Sequence, residues 1–294
     1  MNDSWPKQDA LTHDDLEISW LDWGGDGDPL VLLHPNGFCA GIYDPLAKQL
    51  KSSFRVVAVD LRGHGSSEFV VDENKLGNDD MASDVLAITN HLNFESFYLL
   101  GVSLGGGVAI ETAALAKERV KGLILIEAIA MPIVDDASHE QFSKQPRGSH
   151  PLAVGARKRR VVWPDRSTVI ESYGSRPPLN SLAKEALEAY VHWGFKDRED
   201  GQIELACAPE TEAIIFDSNR HGPIESFKKL SDVESPSSVL YGSESDLSPT
   251  WFEKQAEMLG VQAEKIDGSH FFLFENIERA EKIIRSQFLR SSDE

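Results

Sequence analysis

The chain has 294 residues, and 48 acidic against 29 basic side chains leave a formal net charge of −19. A field of that sign repels phosphate backbones and anionic lipid, which argues against nucleic acid or a membrane surface as a partner. The 41% hydrophobic content suits a globular core, while no apolar run approaches the ~20 residues of a membrane span. Two cysteines, Cys39 and Cys207, offer no disulfide framework, and the opening MNDSWPKQDA lacks a basic segment followed by an apolar one. A cytoplasmic protein without a signal peptide is therefore expected.

Leu16 to Trp23 roughly alternates apolar with polar and reads as a strand, closed by a turn at Gly24, Gly25 and Asp26 to Pro29. Leu30 to Leu33 and Val56 to Val59 are short, almost wholly apolar runs, as in parallel strands covered on both faces. Met81, Val85, Ile88 and Leu92 recur at helical spacing, with Asn78, Asp79 and Asp80 available to cap. Phe97 to Leu100 is another buried strand, Gly105 to Lys117 a helix rich in small residues, and Leu123 to Ile126 the next strand. After Met131 the alternation stops. Helix-like segments follow at Pro151 to Trp163, Ser181 to Phe195 and Pro209 to Phe216, with no convincing buried strand. The pattern resumes with a strand at Ser237 to Tyr241, a helix from Pro249 to Leu259, a strand at Ala263 to Ile266 and a last helix from Glu275. The expected fold is α/β: a mostly parallel central sheet with helices on both faces. Its core would take residues 1–131 and 233–294, with a helical lid inserted over 132–232.

One segment carries chemistry on its own. Gly101-Val102-Ser103-Leu104-Gly105 is G-x-S-x-G between a buried strand and a helix, the context in which that motif presents a nucleophilic serine. The glycines let the helix pass close to the strand. The Leu104 amide, at the helix N-terminus, can face a developing oxyanion.

With that turn the chain resembles the α/β-hydrolase superfamily. Leu33-His34-Pro35-Asn36-Gly37-Phe38 is similar to the family's oxyanion loop. Val57 to Ser67, with Asp60-Leu61-Arg62-Gly63-His64-Gly65-Ser66, is similar to the turn after the next strand. Gly268-Ser269-His270 looks like the loop that bears the general base. The resemblance implies a triad in the order nucleophile, acid, base, which Ser103, Asp246 and His270 obey. Glu244 and Glu127 compete with Asp246 as the acid, Glu127 because some relatives place the acid after the sixth strand. Pro35 has no N–H, so the oxyanion donors are expected to be the amides of Asn36 and Leu104. Phe38, Val102, Trp163, Tyr190 and Trp193 are candidate pocket residues.

The activity this implies is serine hydrolysis of a small-to-medium carboxylic ester, lactone or thioester through an acyl-serine intermediate, with a small molecule as partner. Carbon–carbon hydrolysis of ring-cleavage products would use the same triad, and a ligand receptor with little turnover is the alternative from another class. No cofactor is expected, since no G-x-G-x-x-G follows the first strand, and no metal, since no His/Cys/Asp spacing suits one. His34, His64, Asp60 and Arg62 read as groups that shape loops, and Cys39 as a small buried hydrophobe. Arg157-Lys158-Arg159-Arg160 is the one dense basic run. It is either the solvated face of a helix with local ion pairs or a site of attraction for an anionic substrate.

Overall fold

A computed structural model describes residues 5–70, 72–132, 148–217 and 222–289. The described residues contain eleven strands: β1 (Lys7–His13), β2 (Leu16–Gly24), β3 (Asp28–Leu33), β4 (Phe54–Val59), β5 (Phe97–Val102), β6 (Val120–Ile126), β7 (Val162–Trp163), β8 (Phe195–Asp197), β9 (Ile203–Leu205), β10 (Ser237–Gly242) and β11 (Ala263–Ile266). Eight of them form one sheet in the order β1-β2-β4-β3-β5-β6-β10-β11. β1 pairs antiparallel with β2 and β2 with β4, while every pairing from β4 through β3, β5, β6 and β10 to β11 is parallel. The expected mostly parallel sheet is present.

The apolar runs are continuous because both faces of the sheet are covered. Leu30, Leu32, Val56, Ala58, Leu100 and Ile124 point into one core. There they meet Leu46 and Leu50 of α1 (Asp44–Leu50) and Ile284 and Phe288 of the C-terminal helix. Val31, Leu33, Val57, Val59, Leu99 and Leu123, one residue out of phase, face a second core. Its helical side is Met81, Val85 and Ile88 of α2 (Asn78–His91) and Val108, Ala109 and Ala113 of α3 (Leu104–Ala116). Each side chain so buried contributes about 1.5–3 kcal/mol. α2 starts on Gly77, whose N–H donates to the Asp80 carboxylate at 3.2 Å, so the three expected capping residues lie inside the first turn.

β1 had no counterpart in the apolar pattern. Its sequence KQDALTH buries no side chain, and an edge strand held by main-chain pairing leaves no hydrophobic signature.

Between β6 and β10 lie α4 (Pro151–Arg157), α5 (Arg166–Gly174), α6 (Lys184–Trp193), α7 (Pro209–Asp217) and α8 (Pro223–Lys229). The expected helical insertion departs from the structure in two ways. It also carries a small antiparallel sheet, β7-β9-β8, of strands two or three residues long, too short for any period to show. Its last helix belongs with the core: α8 packs on α3, where Ser226 Oγ donates to Glu111 at 3.1 Å and accepts from Asn78 Nδ2 at 2.9 Å. The chain returns to the core before residue 232. The remaining helices are α9 (Pro249–Met258), α10 (Phe272–Glu275) and α11 (Ile277–Phe288), the last being the C-terminal helix of the first core. Among the described residues, no helix is long and apolar enough to cross a membrane.

Candidate active site

Parallel strands end together, and the ends of β3, β5, β6 and β10 gather the site. Leu33 is level with Gly101, Val102 with Ile126, and Ile126 with Leu240. Ser103 follows β5 at φ 56°, ψ −115°, a conformation costly for a residue with a Cβ and kept where its surroundings enforce it. The Ser103 N–H donates to Ile126 O at 2.9 Å, and the Ser103 carbonyl accepts from Gly106 N at 2.9 Å and Ile129 N at 3.0 Å. The glycines of the motif are sterically required. A Cβ on Gly101 would lie 2.1 Å from the Gly105 carbonyl oxygen, and one on Gly105 would lie 2.3 Å from that of Leu33. Helix α3 therefore crosses the sheet in backbone contact and aims its N-terminus beside Ser103.

His270 lies in the loop after β11. Its Nδ1 is 2.8 Å from Oε2 of Glu127, the residue immediately after β6. Glu127 has no solvent exposure. Its carboxylate also accepts from the Gly242 N–H at 2.6 Å and the Ser245 hydroxyl at 2.7 Å. Three donors around one buried carboxylate fix its position. The Glu127 contact puts the ring proton on Nδ1 and leaves Nε2 with a lone pair.

The expected acid was Asp246, and the structure does not bring it to the imidazole. Asp246 and Glu244 are both exposed in the turn after β10, while the carboxylate at the imidazole belongs to Glu127. The turn after β10 instead supplies a hydroxyl, Ser245, which orients the Glu127 carboxylate. Glu127 was visible in sequence as an acid directly after the apolar run Leu123 to Ile126. Its φ of 50° turns the chain at that point. No pattern in the sequence singled out Ser245.

The oxyanion loop is held by neutral histidines. His34 Nδ1 donates to Pro35 O at 2.8 Å while its Nε2 accepts from Leu61 N at 3.0 Å. His64 Nδ1 donates to Arg62 O at 2.9 Å and its Nε2 accepts from Gly37 N at 3.0 Å. Burial holds His34 well below its ordinary value and pushes His64 down to about 4, because an imidazolium there would have no water. Asp60 takes the N–H groups of Ala40 at 2.7 Å and Ser66 at 3.0 Å, and burial raises it to about 6. Arg62 makes a bidentate pair with Asp84 at 2.6 and 2.9 Å. All four groups are occupied in shaping loops. The Asn36 and Leu104 main-chain N–H groups, by contrast, have no acceptor among the described residues, and both residues are buried beside the serine turn.

Of the expected pocket residues, Phe38 and Tyr190 stay beside the site. Their rings are 4.7 Å apart, and Phe38 lies 5.2 Å from Phe271, which in turn meets His270 at 5.0 Å. The other three pack elsewhere. Val102 is wholly buried in the sheet core. Trp163 packs within the insertion, its ring 4.5 Å from the Arg160 guanidinium and 5.8 Å from Tyr173. Trp193 lies against Gly41 and Trp5, where it fastens the insertion to the core.

The basic run is largely consumed internally. Arg157 holds Glu210 at 2.9 Å and Asp217 at 3.1 Å. Arg159 pairs with Glu212 and donates to the hydroxyls of Tyr190 at 2.8 Å and Tyr173 at 3.2 Å. Lys158 is exposed. Cys39 and Cys207 are buried thiols, both raised by that burial. Among the described residues, no group of three or more His, Cys, Asp or Glu is placed to hold a metal ion.

A bifunctional esterase/perhydrolase of Acinetobacter calcoaceticus is 31% identical over 265 residues, covering 82% of this chain and 83% of that protein. The family model described as the alpha/beta hydrolase fold matches residues 28–159. The chain belongs to the α/β-hydrolase family. As an α/β hydrolase it is also similar to 3-oxoadipate enol-lactonase 1 of Acinetobacter baylyi, 25% identical across 89% of this chain and 88% of that one. In three dimensions it resembles E-2-(acetamidomethylene)succinate hydrolase, with a TM-score of 0.77 at 19% identity over 96% of this chain and 98% of the other. That last likeness concerns the fold alone.

Proposed function

We propose that this hydrolase cleaves a small-to-medium uncharged carboxylic ester, lactone or thioester through an acyl intermediate on Ser103. The observation that carries the reading is the 2.8 Å contact between His270 Nδ1 and the buried Glu127 carboxylate, set one strand away from the strained Ser103 turn. Ser103 Oγ attacks the acyl carbon and passes its proton to His270 Nε2, and Glu127 stabilises the resulting imidazolium. The carbonyl oxygen, now negative, takes the N–H groups of Asn36 and Leu104. His270 then gives its proton to the departing alkoxide or thiolate, and water reverses the sequence on the acyl-serine. No direct hydrogen bond joins Ser103 Oγ to His270 among the described residues, and such bonds commonly tighten only once substrate is bound.

The rings beside the site, Phe38 and Phe271 with Tyr190 packed behind Phe38, favour an uncharged acyl group. The engagement of Arg157 and Arg159 with Glu210, Asp217 and Glu212 leaves little cationic attraction for an anionic one. Relatives named as an esterase/perhydrolase and an enol-lactonase support the ester and lactone classes.

A fluorophosphonate probe and a panel of p-nitrophenyl esters, lactones and thioesters of graded acyl length test the reading. Wild-type protein should be labelled at Ser103 and turn over short acyl esters, while Ser103→Ala should do neither. Folded wild type that takes no label and hydrolyses nothing in the panel would sink it.

A further inference from the structure

The oxyanion loop is gripped from two sides, and only one of them is the core. Gly37 N donates to His64 Nε2 at 3.0 Å, and His34 O accepts from Gly105 N at 3.2 Å. Three further tethers come from separate segments of the insertion. The Tyr190 hydroxyl, on α6, donates to the Gly37 carbonyl at 2.9 Å. Arg159, just beyond α4, reaches the same carbonyl at 3.4 Å while donating to the Tyr190 oxygen at 2.8 Å. The Glu212 main-chain carbonyl, on α7, accepts from Asn36 Nδ2 at 3.0 Å. The Tyr190–Gly37 and Asn36–Glu212 bonds are buried, which shields them from bulk water, while the Arg159 contacts are part-buried.

The donor that matters is the Asn36 N–H, in the peptide joining Pro35 to Asn36. Proline supplies no N–H of its own to that stretch. The core holds the carbonyl of the same peptide, Pro35 O, through His34 Nδ1 at 2.8 Å and Phe38 N at 3.2 Å, and the insertion adds the hold on the Asn36 side chain and on the next peptide. We propose that the insertion sets the oxyanion hole: Tyr190, backed by Arg159, fixes the Gly37 carbonyl, the Glu212 carbonyl fixes the Asn36 side chain, and together they aim the Asn36 N–H at the reacting carbonyl. Tyr190 and Arg159 are positioning residues, acting through Asn36. The inference rests on the acyl-serine reading above and adds to it a coupling between the inserted segment and the rate of the chemical step.

Tyr190→Phe removes the hydroxyl and keeps the ring against Phe38, so pocket shape is preserved. Loss of a whole oxyanion donor costs about 100- to 1,000-fold in kcat, and misaiming one should cost about tenfold. With p-nitrophenyl butyrate as probe, kcat should fall about tenfold while KM stays within about twofold, the pattern of an interaction made only in the transition state. The inhibition constant of an alkyl trifluoromethyl ketone, which forms a tetrahedral adduct on the serine, should rise by a similar factor. Asn36→Ala, which cuts the tether to Glu212, should give the same split and serves if the first variant does not fold. A folded variant of either kind with unchanged kcat and unchanged ketone affinity overturns the inference. So does a change confined to KM, which marks a pocket wall. Wild type that resists fluorophosphonate fails the acyl-serine reading itself, whereas labelled, active wild type with indifferent variants fails only this one.

Discussion

Glu127→Gln is the sharpest perturbation of the site, because the substitution keeps shape and changes only which atoms accept. Oε2 of Glu127 takes His270 Nδ1 at 2.8 Å and Ser245 Oγ at 2.7 Å, and Oε1 takes Gly242 N at 2.6 Å. A glutamine must put its NH2 on one side or the other. Placed toward Gly242, it sets donor against donor in a site with no water. Placed toward His270, it drives the ring proton from Nδ1 to Nε2, and the base facing Ser103 is lost. Either arrangement removes the carboxylate that stabilises the imidazolium. Loss of the acid in triads of this kind costs about 10,000-fold in kcat, or about 5 kcal/mol of barrier. A stability loss of about 1–3 kcal/mol should accompany it, from the donor left unpaired. Asp246→Asn, at an exposed position, should keep kcat within about twofold. The assay is kcat for p-nitrophenyl butyrate, with the fluorophosphonate labelling rate as a second readout and thermal melting to show that both variants fold. If Glu127→Gln kept more than about a tenth of the wild-type kcat while Asp246→Asn lost about a hundredfold, the assignment of the acid would be wrong.

The buried histidines make a prediction about acid. With His64 at about 4 in the folded state against 6.5 as its ordinary value, the unfolded chain binds the extra proton between those values. Stability is lost as pH falls through that window, by roughly 2 kcal/mol between pH 7 and 4.5 from this residue. Asp60, raised to about 6, opposes the trend in the same window, because its deprotonation destabilises the fold as pH rises. Comparing wild type with His64→Gln cancels the Asp60 contribution. Urea unfolding at the two pH values should show a narrower gap in the variant, and an equal gap would contradict the neutral assignment. At the turn, Gly105→Ala would press a methyl group against the Leu33 carbonyl at 2.3 Å. It should lower stability by about 1–3 kcal/mol or more in a urea titration and reduce turnover per folded molecule by displacing α3 from Ser103.

Much of the site was legible where a local rule binds sequence to geometry. Strand, G-x-S-x-G and small-residue helix fix one another, since only glycine fits at positions 101 and 105, and so Ser103 could be placed before any coordinates. The buried strands were legible for a similar reason, both faces being covered. The acid was harder. Whether a carboxylate after β6 or one after β10 meets the imidazole depends on how far the turn after β10 leans, a tertiary matter that residues 243–248 do not encode. β1 escaped because none of its side chains is fully buried and only Leu11 leans on a core. The insertion resisted most. Tyr190, Trp163 and Trp193 are all aromatic, yet their directions depend on three short segments packing together. Only Tyr190 among them reaches the oxyanion loop, through a hydroxyl that composition cannot aim.

Ser103 follows the first strand and Glu127 the second of a single strand–helix–strand crossover, β5-α3-β6, a unit whose contacts close early because few residues separate them. His270 is 143 positions away from Glu127 in sequence and must wait for β10 and β11 to add to the sheet edge. A chain ending short of β10 would lack both the imidazole of the proposed mechanism and the Gly242 and Ser245 donors that fix the Glu127 carboxylate. On the proposed mechanism the protein would stay chemically silent until its last strands have docked, and hydrolytic activity would report completion of the whole sheet.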